Sequence, residues 1–110
     1  MNIAIIFAGG TGQRMNTKTK PKQFLELHGK PIIIYTLEDF EQHELIDAII
    51  VVCVEGWIDY CHSMIDKFHI SKVKAVIPGG ETGLLSRYEG VKKAAEMYPE
   101  NTVCLMHDGV

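Results

Sequence analysis

A short apolar segment that ends in glycines limits the possible folds of this chain more than any other feature. Ile3 to Phe7 is almost continuously apolar, and Ala8-Gly9-Gly10 follows it directly. A strand without polar alternation is typical of a parallel sheet that is covered on both faces. The segment therefore predicts a buried strand with a glycine-rich turn at its carboxyl end.

Helical and strand patterns alternate along the rest of the chain. They predict helices over about 31–43, 57–68 and 84–98, and strands over 48–54, 74–77 and 102–106. The apolar stripe of the third helix consists of Leu84, Leu85, Tyr88, Val91, Ala95 and Tyr98. The order β-α-β-α-β-α-β predicts an α/β fold with a doubly wound, mostly parallel sheet, in which ligands bind outside the carboxyl ends of the strands.

The composition limits the partners that we expect. The 110 residues are 46% hydrophobic, which suits one compact domain, and the formal net charge is −3. This charge argues against a general attraction to nucleic acid or to a membrane surface. There is no apolar run of 18 residues and no signal-peptide pattern, so we expect neither membrane spanning nor secretion.

The cysteines and the end of the chain give two further expectations. Cys53, Cys61 and Cys104 have no metal-binding spacing, which indicates free thiols in a reducing compartment, the cytoplasm. Cys53 and Cys104 fall within apolar strands and are predicted to be core thiols. Because the chain stops shortly after its last predicted strand, we expect residues 1–110 to be the N-terminal nucleotide-binding part of one larger, truncated domain.

The loop after the first strand has the composition of a phosphate-binding loop. It reads Ala8-Gly9-Gly10-Thr11-Gly12-Gln13-Arg14-Met15, in which glycines let backbone N–H groups approach phosphate oxygens and Arg14 supplies a cation. A dinucleotide fingerprint would need a glycine where Met15 stands, and a Walker A loop would need a Gly-Lys-Ser/Thr sequence. The loop therefore favours a phosphate ligand outside these two classes.

Positive charge is concentrated beside this loop. The stretch from Arg14 to Lys30 carries a formal charge of +4, whereas the remainder of the chain carries −7. A triphosphate would be attracted to such a stretch, and phosphoryl transfer needs fixed cations. We expect Lys18, Lys20 and Lys30 to be solvated, and Arg14 and Lys22 to be the functional cations.

Motifs in order at three predicted strand ends carry a resemblance to a known family. Residues 8–15 have the pattern A-G-G-x-G-x-R-M, Pro21-Lys22-Gln23-Phe24 follows, and Gly79-Gly80-Glu81 to Ser86 and His107-Asp108-Gly109 lie near two later strand ends. Together they resemble the cytidylyltransferases that act on 2-C-methyl-D-erythritol 4-phosphate or D-ribitol 5-phosphate. The resemblance extends over all 110 residues and leaves the choice of acceptor open.

The resemblance implies a fold, a reaction and a set of roles. The fold would be Rossmann-like, of the glycosyltransferase-A-like nucleotidyltransferase type, and the enzyme would use CTP, a polyol phosphate and Mg²⁺, as a homodimer when full length. The implied site comprises a triphosphate cradle of Ala8, Gly9, Gly10, Thr11 and Gly12, the catalytic cations Arg14 and Lys22, the nucleoside contacts Gly80, Glu81 and Ser86, and the metal ligand Asp108.

Two departures from the family pattern bear on the nucleotide. Gly83 stands where the family commonly has Arg, and Arg87 is a candidate replacement for that cation. Glu81 stands where the family often has Asp. A transferase that uses another nucleoside triphosphate and a nucleotide-binding fragment without catalytic activity remain the alternatives.

Overall fold

The apolar N-terminal segment forms a central strand of the sheet. A computed structural model describes residues 1–8 and 21–108. In chain order, its elements are β1 Asn2–Ala8, β2 Glu26–Leu27, β3 Lys30–Pro31, α1 Ile32–Gln42, β4 Ala48–Cys53, α2 Ile58–Lys67, β5 Val73–Pro78, α3 Gly83–Met97 and β6 Val103–His107. The sequence therefore located all four long strands and all three helices to within one residue at every boundary.

The four long strands form one parallel sheet in the order β5-β4-β1-β6. From β1 the chain moves outward through β4 to β5, and then returns to add β6 on the other side of β1. This arrangement confirms the predicted doubly wound α/β fold. The β2-β3 hairpin and two short 3-10 helices, Lys22–Phe24 and Glu55–Trp57, were not predicted from the sequence.

The two faces of the sheet bury separate apolar clusters. Ala4, Ile6 and Ala8 of β1 lie in a cluster with residues of α1 and α2. Ile3, Ile5 and Phe7 lie in the other cluster, which includes Ala94 of α3. Alternate side chains of β1 thus point to opposite faces, and helices cover both, as a parallel sheet requires.

The face of α3 that packs on the sheet is not the face that carries most of its apolar stripe. Leu84 is 77% exposed and Tyr88 is 59% exposed, whereas Ser86, Gly90 and Ala94 are buried at intervals of four residues. A Cβ at Gly90 would lie 2.7 Å from Cγ2 of Ile5, so the helix backbone approaches β1 closely. Small residues therefore form the contact face, because larger side chains would not fit between helix and sheet.

The cysteines partly follow the sequence prediction. Cys53 and Cys61 are buried free thiols. A hydrogen bond with the Cys61 thiol, together with burial, raises the pKa of Cys53 far above its usual range, so this thiol stays protonated. The prediction that Cys104 is a core thiol is confirmed only in part, because Cys104 packs against the cluster on the α3 side of the sheet but stays partly exposed.

The edge strand also exposes apolar side chains. Val103, Leu105 and Met106 are each about half exposed.

None of the helices in the described part of the chain is long and apolar enough to cross a bilayer.

Gly90→Ala tests the close packing of α3 on β1 in the complete protein that contains this chain. We expect the free energy of unfolding to fall by about 1–3 kcal/mol in urea titrations, because the added methyl group overpacks the contact with Ile5. Ala95→Leu on the exposed side of the same helix is the control and should change it by less than about 0.5 kcal/mol. Equal effects of the two substitutions would contradict the packing account.

Candidate functional site

The carboxyl ends of β1 and β6 lie side by side at the point where the strand order reverses. Ile6 of β1 pairs with His107 of β6, so Phe7 and Ala8 end their strand next to Asp108. In doubly wound sheets, ligands bind at this switch point. The predicted glycine loop starts here, but Gly9, Gly10, Thr11, Gly12 and Arg14 lie outside the described residues.

The burial of Ala8 limits how this residue can contact a nucleotide. Its side chain is fully buried in the core, beside β4, where it pairs with Cys53. A contact between Ala8 and a nucleotide would therefore have to come from its main chain.

A cavity of about 250 Å³ opens next to Asp108. It is lined by Phe7, Gly83, Leu84, Arg87 and Asp108. The fold thus brings Asp108, which directly follows β6, to the first two turns of α3, and it places the Arg87 side chain at the same cavity. The sequence singled out Asp108, Gly83 and Arg87, but it gave no signal for Phe7 and Leu84, whose apolar character suggested only packing.

The loop between β5 and α3 is held in shape by Ser86. The Ser86 hydroxyl accepts a hydrogen bond from the Gly80 N–H at 3.1 Å and donates one to the Gly80 carbonyl at 3.4 Å. A Cβ at Gly79 would lie 2.8 Å from this hydroxyl, and one at Gly80 would collide with Leu85. The two glycines are therefore required by the close approach of the loop to the helix.

The end of this loop also starts the helix. Thr82 caps α3, because its side-chain oxygen accepts a hydrogen bond from the Leu85 N–H at 3.1 Å. Glu81, directly before the cap, is exposed. Of the three predicted nucleoside contacts, Gly80 and Ser86 thus brace each other, and Glu81 faces solvent.

Lys22 extends from a turn whose neighbours are buried. The turn is closed by a hydrogen bond from Phe24 N–H to the Pro21 carbonyl at 2.9 Å. Pro21 and Phe24 are fully buried, whereas Lys22 is exposed. The Phe24 ring packs against Trp57 and Tyr60, with ring centroids 5.9 and 5.2 Å apart. The turn is thereby anchored in the core, while Lys22 on the same turn is exposed.

The same turn contacts the end of β6. The Gln23 side-chain N–H donates a long hydrogen bond of 3.5 Å to the carbonyl oxygen of Asp108. The structure therefore brings the Lys22 segment and the Asp108 segment together, although 85 residues separate the two bonded residues. Gln23 was not among the candidate site residues.

Lys30 differs from the sequence prediction. Its ammonium forms an ion pair with Glu38 at 2.8 Å and lies 4.8 Å from the centre of the Tyr35 ring. It was predicted to be a solvated lysine, but these contacts tie it to α1. The charge that this segment offers to an anion is therefore smaller than the sequence suggested.

The predicted Mg²⁺ ligand can be compared with the donors that this ion prefers. Within residues 1–8 and 21–108, no group of three or more His, Cys, Asp or Glu side chains is arranged to hold a metal. Mg²⁺ in enzymes that bind nucleotides is commonly held by one or two carboxylates together with substrate phosphates. A single Asp108 beside an open cavity fits that second arrangement and does not fit an all-protein metal centre.

A doubly wound parallel sheet with polar and charged residues at its switch point is typical of α/β proteins that bind a ligand at these strand ends. A family model described as 2-C-methyl-D-erythritol 4-phosphate cytidylyltransferase matches residues 2–110. The chain therefore belongs to this cytidylyltransferase family, as its motifs suggested.

Individual relatives agree with this assignment. The ribitol-5-phosphate cytidylyltransferase of Vibrio parahaemolyticus is 62% identical over 110 residues, which are 100% of this chain and 46% of that protein. The 2-C-methyl-D-erythritol 4-phosphate cytidylyltransferase of Clostridium botulinum is 43% identical over 107 residues, 97% of this chain and 45% of that protein.

The fold agrees as well. The 4-diphosphocytidyl-2C-methyl-D-erythritol synthase of Anaerococcus prevotii matches with a TM-score of 0.74 at 26% identity, over 99% of this chain and 43% of that structure. The chain thus spans about half the length of the curated relatives that it matches.

Ser86→Ala tests whether the hydroxyl braces the β5-α3 loop. We expect the free energy of unfolding of the complete protein to fall by about 1–3 kcal/mol, because the Gly80 N–H would lose its partner in a partly buried place. Ser63→Ala is a matched control, since the Ser63 hydroxyl also donates to a backbone carbonyl, that of Asp59, but is exposed. A loss for Ser86→Ala no greater than that for the control would contradict the bracing role.

Proposed function

We propose that the complete protein transfers the cytidylyl group of CTP to D-ribitol 5-phosphate and releases pyrophosphate. The observation that carries this proposal is the 62% identity, over all 110 residues, to a ribitol-5-phosphate cytidylyltransferase. Identity to the relative named for 2-C-methyl-D-erythritol 4-phosphate is lower, at 43%. That second polyol phosphate remains the alternative acceptor, because the matching family model is described by it.

The reaction joins two polyanions. A phosphate oxygen of the acceptor attacks the α-phosphorus of CTP in line, a new P–O bond forms, and the bond to the β-phosphate oxygen breaks. The electron pair of that bond leaves with pyrophosphate. Charge accumulates on the transferring phosphoryl oxygens, so fixed cations and backbone donors are what this chain has to supply.

The glycine loop and the cations would divide this task. On our proposal, backbone N–H groups of Gly9 to Gly12 bind the triphosphate, and Arg14 offsets charge on its β- and γ-phosphates. Lys22 stabilises the charge that develops at the α-phosphate. Its anchored turn supports this role, since a cation on a fixed backbone loses little freedom when the transition state forms.

Asp108 and Arg87 would act from the other side of the switch point. The Asp108 carboxylate would hold Mg²⁺, which supplies positive charge to the phosphate oxygens when bound. Arg87 follows Gly83 by one helical turn, and helical side chains lean toward the N-terminus of their helix. Since both residues line the same cavity, we propose that Arg87 supplies the cation that relatives commonly carry at residue 83.

The β5-α3 loop would bind the nucleoside. Ser86 gives the loop its shape through Gly80, and the exposed Glu81 carboxylate can accept hydrogen bonds from ribose hydroxyls. We further propose a cytoplasmic enzyme that acts as a homodimer. The free thiols of Cys53, Cys61 and Cys104 support the cytoplasm, and the homodimer rests on the family resemblance. The absence of nucleic-acid binding stays a prediction from the net charge.

Pyrophosphate release by the complete protein tests this function. With CTP and Mg²⁺, we expect kcat/KM for D-ribitol 5-phosphate to exceed that for 2-C-methyl-D-erythritol 4-phosphate by at least about tenfold, which corresponds to about 1.4 kcal/mol. GTP in place of CTP should give little release. Faster reaction with the methylerythritol phosphate would select the alternative acceptor, and no release with either acceptor would contradict the proposed function.

A further inference from the structure

Gln23 is a buried polar residue on the turn that carries Lys22. It is 6% exposed and lies between the exposed Lys22 and the fully buried Phe24. Burying an amide costs free energy unless the group is hydrogen-bonded. An apolar side chain of similar size would fill the same space without that cost, so packing alone does not account for a glutamine here.

The partner of the Gln23 amide gives the residue a specific place in the site. Its Nε2 donates to the carbonyl oxygen of Asp108, the residue that carries the proposed metal-binding carboxylate. Gln23 in turn is the direct neighbour of Lys22. One hydrogen bond therefore joins the backbone segments that hold the two charged groups proposed to act on opposite sides of the same phosphates.

We propose that Gln23 is a positioning residue, which fixes the Lys22 turn against the carboxyl end of β6. This inference rests on the proposed function and adds to it a residue that makes no contact with substrate. By holding the two segments together, Gln23 sets the distance between the Lys22 ammonium and the Asp108 carboxylate when CTP is bound.

The turn that carries Lys22 is also anchored by Phe24, on a different side from Gln23. Phe24 fastens the turn to Trp57 and Tyr60, which lie on the α2 side of the molecule. That contact fixes the turn on the α2 side, whereas the Gln23 hydrogen bond connects the turn directly to the end of β6. A displacement of about 1 Å at a reacting group can cost about 100-fold in rate, so a hydrogen bond of small energy can have a large effect on turnover.

Two substitutions remove the donor in the complete protein. Gln23→Glu replaces one NH₂ group by oxygen at the same volume, and Gln23→Met removes both polar atoms. We expect either change to lower kcat by about tenfold or more, with KM for CTP changed by less than about threefold, since the loss occurs mainly in the transition state. Gln42→Met, at the exposed end of α1, is the control and should leave both constants unchanged.

The Lys22→Ala background separates positioning from a merely structural role. Lys22→Ala alone should lower kcat by about 100-fold, the usual effect of losing one group that stabilises transition-state charge. If Gln23 acts by placing Lys22, adding Gln23→Met to Lys22→Ala should change kcat by less than about twofold. A merely structural role would lower kcat in both backgrounds to the same extent.

The outcomes distinguish the two levels of the proposal. A wild-type protein without CTP-dependent pyrophosphate release would overturn the proposed function, and the role of Gln23 with it. If the wild type is active but the Gln23 variants have the kcat of Gln42→Met, only the positioning role is overturned. The same holds if the effects of the Gln23 and Lys22 substitutions on kcat multiply. If neither Gln23 variant folds, Gln23 is a structural residue and the positioning proposal is wrong.

Discussion

Burial of β1 on both faces and along both edges is the constraint on which the rest of the structure depends. Its residues from Ile3 to Ala8 are almost inaccessible to solvent, with β4 on one side and β6 on the other. A strand in this environment needs helices on both faces, so the chain has to cross from one side of the sheet to the other. That crossing creates the switch point at the carboxyl ends of β1 and β6, where Asp108 and the start of α3 meet.

The sequence predicted the elements well and their orientation less well. Continuous apolar segments identified β1 and β4, because strands buried on both faces lack polar alternation. The face of α3 could not be deduced from its apolar stripe, since Leu84 and Tyr88 are exposed and Gly90 faces β1. The spacing of apolar residues locates hydrophobic side chains, whereas a close contact between a helix and a sheet requires small residues.

The site shows the same division between local and long-range information. Motifs marked Lys22, Ser86 and Asp108, because residue type and spacing are local features. The Gln23 contact with Asp108 joins residues far apart in the chain, so it became visible only in the fold. Lys30 is the converse case, in which a cation suited to phosphate is held by Glu38 instead.

We propose that a cytidine nucleotide binds across the carboxyl ends of β1 and β6 and the β5-α3 loop. Hydrogen exchange of the complete protein, with and without CTP and Mg²⁺, tests it most directly. We expect slower amide exchange in residues 21–25, 79–87 and 103–108 with CTP, little change with GTP, and no change in α2. Equal protection by both nucleotides, or protection confined to segments away from these strand ends, would contradict it.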